Sequence, residues 1–133
     1  MKKNKLSISL TNLEKALAEL LKYVQEPIEN PRDQAGVIQG FEFTFELFWK
    51  TFKKMAELEG LQAGGPKSAL KAALQMGLVQ PHAEKTWLSM LDDRNLTSHI
   101  YHEELSAEIC ERIQKKYVHE FKITIHNLKK TTD

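Results

Sequence analysis

Ile38, Phe41, Phe45, Phe48, Phe52 and Met55 follow one another at spacings of three, four, three, four and three. That period belongs to one face of an α-helix and to no strand. Four phenylalanines on one stripe must be covered by other elements, and each contributes roughly 1.5–3 kcal/mol when fully buried. The spacing predicts a helix over about Pro31–Leu58, with Asn30 as N-cap and Pro31 in its first turn.

The rest of the chain offers helices to cover that stripe. Leu6, Leu10, Leu13, Leu17, Leu20 and Val24 make an apolar stripe before the stop at Pro27 and Pro31. Gly60 and Gly64-Gly65 mark a loop. Pro66 then opens a short helix with Leu70, Ala73 and Leu74 on its apolar side and Gly77 as the C-terminal stop. Pro81 begins a fourth helix to about Asp93 or a little beyond, with Trp87, Met90 and Leu91 apolar. A long last helix over about Glu103–Lys129 places Cys110, Ile113, Tyr117, Phe121, Thr124 and Leu128 on one face. The expected fold class is all-α: one domain over residues 1–133, an antiparallel up-and-down bundle of four main helices plus one short helix.

Charge and cysteine usage narrow the function classes. With Lys+Arg 19 against Asp+Glu 18, bulk electrostatics do not drive nucleic-acid binding, and only a local basic site remains open. A single cysteine, Cys110, excludes an intrachain disulfide and fits a reducing cytoplasm. No apolar run is long enough to cross a bilayer, and no signal peptide is expected at the basic start. Gly64-Gly65 lacks the Gly-Lys-Ser/Thr ending of a phosphate loop.

Two stretches can carry function. Gln39, Glu42, Glu46 and Lys50 share a polar face of the second helix, flanked by Trp49. This face is either solvated, with Glu46 and Lys50 as an i,i+4 ion pair, or a polar groove at a subunit or partner interface. The second stretch is Asp92-Asp93-Arg94-Asn95-Leu96-Thr97-Ser98-His99-Ile100-Tyr101. An arginine can hold a phosphate bidentately and a histidine can exchange a proton near neutral pH. Arg94 and His99 can therefore support RNA cleavage by attack of the 2′-hydroxyl, with Asn95 orienting either one, and two chains contributing symmetrically make a fuller site. The alternative is structural: Arg94 pairs with Asp92, Asp93 or Glu103, and His99 caps a helix end. His99, Tyr101, His102 and Glu103 lack metal-ligand spacing, so no metal or other cofactor is expected.

The segment Arg94-Asn95-Leu96-Thr97-Ser98-His99-Ile100-Tyr101 resembles the Arg-Asn-x-x-x-His-x-Tyr form of the HEPN superfamily motif. Ile38 to Lys50, with Pro66, Trp87 and Asp93-Arg94-Asn95, is similar to the nucleotidyltransferase substrate-binding subunits, which include the HepT-type toxins. The resemblance covers about Leu13 to Leu128. It implies a homodimeric bundle, partnered by a small nucleotidyltransferase encoded nearby in a toxin–antitoxin-like pair. It also implies that Arg94 and His99 are the RNA-cleaving pair, that Asn95 is the polar residue beside them, and that Tyr101 is the acceptor of AMP from the partner. The Glu42/Glu46 helix places the chain nearer the substrate-binding branch than the toxin branch.

Overall fold

The computed structural model describes residues 2–99 and 103–132. Helix α1 (Lys2–Gln25) and helix α2 (Pro31–Leu58) form an antiparallel pair. The short α3 (Pro66–Gln75) leads to a 3-10 turn (Pro81–Ala83) and α4 (Glu84–His99). The chain ends with α5 (Glu103–Arg112), a π-helical turn (Ile113–Tyr117) and α6 (Val118–Thr132). Among the described residues there is no strand. No helix is long and apolar enough to cross a membrane, among the residues described.

Local chemistry explains the boundaries. The Asn30 side chain accepts the Asp33 N–H at 2.9 Å, and Pro31, which has no N–H to satisfy, opens α2. Gly77 adopts φ +75°, a left-handed turn that ends α3 without the strain a Cβ brings. At Gly40 an added Cβ would meet Leu20 Cδ1 at 3.2 Å, so the absent side chain lets α1 and α2 approach closely.

The aromatic stripe of α2 is the centre of the core, as its spacing predicts. Phe41, Phe45, Phe48 and Phe52 are buried. Phe48 stacks on Phe121 of α6 at 4.7 Å and meets the edge of Trp87 of α4 at 5.3 Å. Phe41 stacks on Tyr117 at 5.3 Å. All six apolar positions of the α1 stripe are buried, and so are all six expected on the last helix. Ile38 is a correction: it is only partly buried, and Val37, one residue earlier, takes the core position. The fourth helix also differs from expectation. Its first turn is 3-10, and it continues past Asp93 to His99.

Hydrophobic spacing does not predict the π-helical turn. An i→i+5 turn inserts one residue into the helical register. Here the buried stripe nevertheless stays continuous, from Cys110 and Ile113 through Tyr117 to Phe121. Tyr117, the last residue of that turn, is placed against α4 at the level of the Arg94 segment.

Candidate functional site

The C-terminal half of α4 lies between two polar surfaces, one from α2 and one from α5 with its π-turn. On the α2 side, Arg94 Nη2 is 3.2 Å from Glu46 Oε2. The same Glu46 oxygen accepts Trp49 Nε1–H at 3.0 Å, and its other oxygen lies 3.6 Å from Lys50 Nζ. One turn along each helix, the Thr97 hydroxyl donates to Glu42 Oε2 at 2.8 Å. Arg94 Nη1 also donates to Asn95 Oδ1 at 3.2 Å. Arg94 and Thr97, at i and i+3, thus face Glu46 and Glu42, at i and i+4.

On the α2 face, Gln39 and Lys50 are exposed, while Glu42 and Glu46 turn toward α4. Glu42 and Glu46 are partly buried against α4, and the face runs between the two helices. The expected Glu46–Lys50 pair is present within it. Gln39 joins Ile38, Glu42, Thr97, Leu105 and Ser106 around a cavity of about 290 Å³ beside the motif.

On the other side, Asp93 is 3% exposed. Arg112 grips it with two bonds of 2.8 Å, from Nε and Nη2. The Tyr117 hydroxyl donates to Asp93 Oδ2, and Ser89 Oγ, 2.6 Å away, completes the hydroxyl's contacts. Desolvation pushes the Tyr117 phenol up to about 12, and its bond to Asp93 acts in the same direction. The bond to Asp93 raises the Arg112 guanidinium above its ordinary value. Asp93, one of the carboxylates expected to compensate Arg94, is therefore engaged by Arg112.

Spacing along the chain could not show this cluster, because Asp93, Arg112 and Tyr117 come from separate elements. One signal was available. Asp93 continues the buried stripe of Ala83, Trp87 and Met90, and a carboxylate on an apolar stripe requires a partner. Glu120 was missed in the same way. It is buried and accepts hydrogen bonds from Trp87 Nε1 at 3.1 Å and Thr124 Oγ1 at 3.0 Å.

His99 is the last residue of α4, so one helix carries both Arg94 and His99. Five residues of helix separate them by about 7.5 Å along the axis. The His99 side chain, Tyr101 and His102 lie outside the described residues. Cys110 is buried, its Sγ lies 3.6 Å from the Gln34 carbonyl oxygen, and burial pushes its thiol up to about 11.

The fold and this inter-helix contact define an all-α bundle protein in which an arginine-bearing helix is set against two glutamates of its neighbour. Residues 8–130 match the family described as nucleotidyltransferase substrate binding protein like, and the chain belongs to that family. A Thermus thermophilus protein of known structure is 35% identical, with a TM-score of 0.79 over 88% of this chain and 98% of that one. A protein named probable ribonuclease HepT, from Haemophilus influenzae, is 34% identical over 84 residues. That match spans 59% of this chain and 56%, little more than half, of the Haemophilus protein. The tri-AMPylated Shewanella oneidensis HEPN toxin, solved in complex with its MNT antitoxin, shares the fold at 13% identity. Its TM-score is 0.80, over 94% of this chain and 96% of the toxin.

Proposed function

We propose that this chain is the HEPN subunit of a two-component, toxin–antitoxin-like pair. It acts as the substrate-binding and acceptor protein of a small nucleotidyltransferase encoded nearby. The observation that carries this reading is the groove in which Glu42, Glu46, Trp49 and Lys50 of α2 meet Arg94 and Thr97 of α4. The family match and the likeness to the Shewanella toxin, solved with its MNT antitoxin, support it. Two copies of the chain form a dimer in this reading.

Tyr101, seven residues after Arg94, is the acceptor. Its phenolic oxygen bonds to the α-phosphorus of ATP, pyrophosphate leaves, and the phenolic proton passes to a base. The adenylate adds bulk and negative charge close in sequence to Arg94 and His99. The test is co-purification with the product of the adjacent reading frame, then ATP and intact-mass measurement. The expected result is a stable complex at micromolar concentration and an added adenylate that disappears in Tyr101→Phe. Absence of a complex at that concentration refutes the pairing, and an adenylate confined to another residue refutes the acceptor.

The second reading is an RNA endonuclease that needs no metal ion. Its support is the single helix that carries both Arg94 and His99, together with the name of the Haemophilus relative. His99 takes the proton of a 2′-hydroxyl, the 2′-oxygen bonds to the adjacent phosphorus, and Arg94 balances the charge on the crowded phosphoryl oxygens. The bond to the 5′-oxygen breaks, leaving a 2′,3′-cyclic phosphate. The imidazolium of the second copy returns a proton to the leaving oxygen. Purified protein is expected to cleave RNA in the presence of a chelator, and His99→Ala to abolish cleavage with the fold kept. Equal inertness of wild type and His99→Ala on varied RNAs removes this reading.

A further inference from the structure

Beyond the Arg94 groove, α2 carries a second polar concavity. Lys50, Lys53 and Lys54 line a hollow of about 320 Å³ between α1 and α2, together with Trp49, Ser9 and Asn12. The Lys54 ammonium donates to Ser9 Oγ at 2.9 Å, which fixes that charge at the rim. One acidic residue, Glu57, lies at the same hollow. In a chain whose net charge is only +1, three lysines at one concavity are a local concentration of positive charge.

The hollow is continuous with the candidate site through Glu46 and Lys50, which pair with each other, and through Trp49, which bonds to Glu46 and lines the hollow. Glu46 touches Arg94. From Lys50 to Lys54 the helix rises about 6 Å. Successive phosphates of an extended single strand repeat on the same scale. The charges are ammonium groups on flexible stems, which neutralise phosphates without reading bases. Trp49 adds an aromatic surface of the kind that accompanies such charges in single-strand tracks.

We propose that Lys50, Lys53 and Lys54 form a binding track for the phosphate backbone of single-stranded RNA, leading the strand toward Arg94. The proposal rests on the RNA reading given above. Its chemistry is counterion release. Each phosphate neutralised on a single strand contributes about 0.7 to the slope of log affinity against log salt.

The experiment measures binding of a mixed-sequence 2′-O-methyl RNA strand to the full chain across a salt series. That probe keeps every phosphate and cannot be cleaved through its 2′-oxygen. The double variant Lys53→Gln/Lys54→Gln is expected to bind more weakly and to flatten the slope by about 1.4, for two lost phosphate contacts. Lys53→Arg/Lys54→Arg is expected to restore the slope. Lys67→Gln/Lys71→Gln removes the same charge from α3, away from the hollow, and is expected to leave the slope at the wild-type value. Matching thermal unfolding checks that the variants keep the fold.

Parallel slopes for wild type and Lys53→Gln/Lys54→Gln overturn the track, as does absence of binding by the wild type at low salt. If the double variant loses the nucleotidyltransferase while its RNA slope is unchanged, the patch serves an acidic protein surface and the proposal is overturned. Failure of the nuclease reading is distinguishable: a wild type that cleaves no RNA but binds with the predicted slope difference loses the nuclease activity and keeps the track.

Discussion

Replacing Asp93 by Asn keeps the size of the side chain and removes its charge at the centre of the α4–α5 contact. The native carboxylate receives two Arg112 bonds of 2.8 Å and the Tyr117 hydroxyl. In the Asp93→Asn variant the amide offers one acceptor oxygen, while its NH2 group faces a donor. One donor therefore loses its partner in a site where Asp93 is 3% exposed. Breaking a buried pair by removing one member costs about 3–5 kcal/mol. The Arg112 side chain is 33% exposed, so water recovers part of its solvation, and the expected loss is at the lower end, about 3 kcal/mol. Urea denaturation is the assay, with the midpoint falling and the m-value unchanged. A cycle with Arg112→Met isolates the pairwise term, expected at about 1–3 kcal/mol. A loss under about 1 kcal/mol, or additive single and double variants, would refute the assignment of this cluster as the anchor of α4.

Three further outcomes follow from the same geometry. The Tyr117 phenol stands at about 12 in the folded chain against an ordinary value of 10.0, because burial penalises its charged form. The unfolded chain therefore releases the proton first, so stability is intact below pH 10 and falls as pH rises toward 12, by on the order of 2–3 kcal/mol. Denaturation midpoints over that window are expected to decline less in Tyr117→Phe. Cys110, buried and with its thiol pushed up to about 11, is expected to resist iodoacetamide near neutral pH and to react at the rate of unfolding. Rapid labelling of the native chain would contradict its burial. Glu46→Gln removes a carboxylate beside Arg94 in a pair whose side chains are both 31% exposed, so the effect is small. Under the RNA reading, affinity for an RNA strand is expected to tighten by up to about fivefold, corresponding to about 1 kcal/mol for such a pair, and equilibrium binding at low salt measures it.

Where periodicity alone determines an outcome, the residues could be read directly. Phe41 through Met55, Leu6 through Val24 and Cys110 through Leu128 are buried because a 3.6-residue period puts each set on one face. Asn30-Pro31 and Gly77 could be read because capping is local chemistry. The fate of Glu42 and Glu46 could not. Their side chains meet Thr97 and Arg94 across 55 and 48 residues of chain, a pairing set by how α2 and α4 are rotated against each other. The π-turn also had no signal, since Ile113 to Tyr117 preserve an ordinary helical stripe. The chemistry expected of Arg94 and His99 was read from their side-chain types and that of Tyr101 from the resemblance alone, and both depend on atoms that periodicity does not position.

The two clusters around α4 have different work. Asp93 and Arg94 are neighbours in sequence, so their side chains leave the helix about 100° apart. The inner one is clamped by Arg112 and Tyr117, and this clamp fixes the rotation of the helix about its axis. That rotation in turn aims Arg94 at Glu46 and Thr97 at Glu42. The Arg94–Glu46 contact is partly exposed and weak, so under the proposed function a phosphate reaching Arg94 would displace a carboxylate contact and leave the anchor in place. An exchangeable contact on a fixed arginine suits the proposed acceptor groove, in which the guanidinium is held ready and then released to an anion. It also assigns the substitutions to different readouts: changes at Asp93 act first on stability, while changes at Glu46 act on anion affinity with stability nearly unchanged.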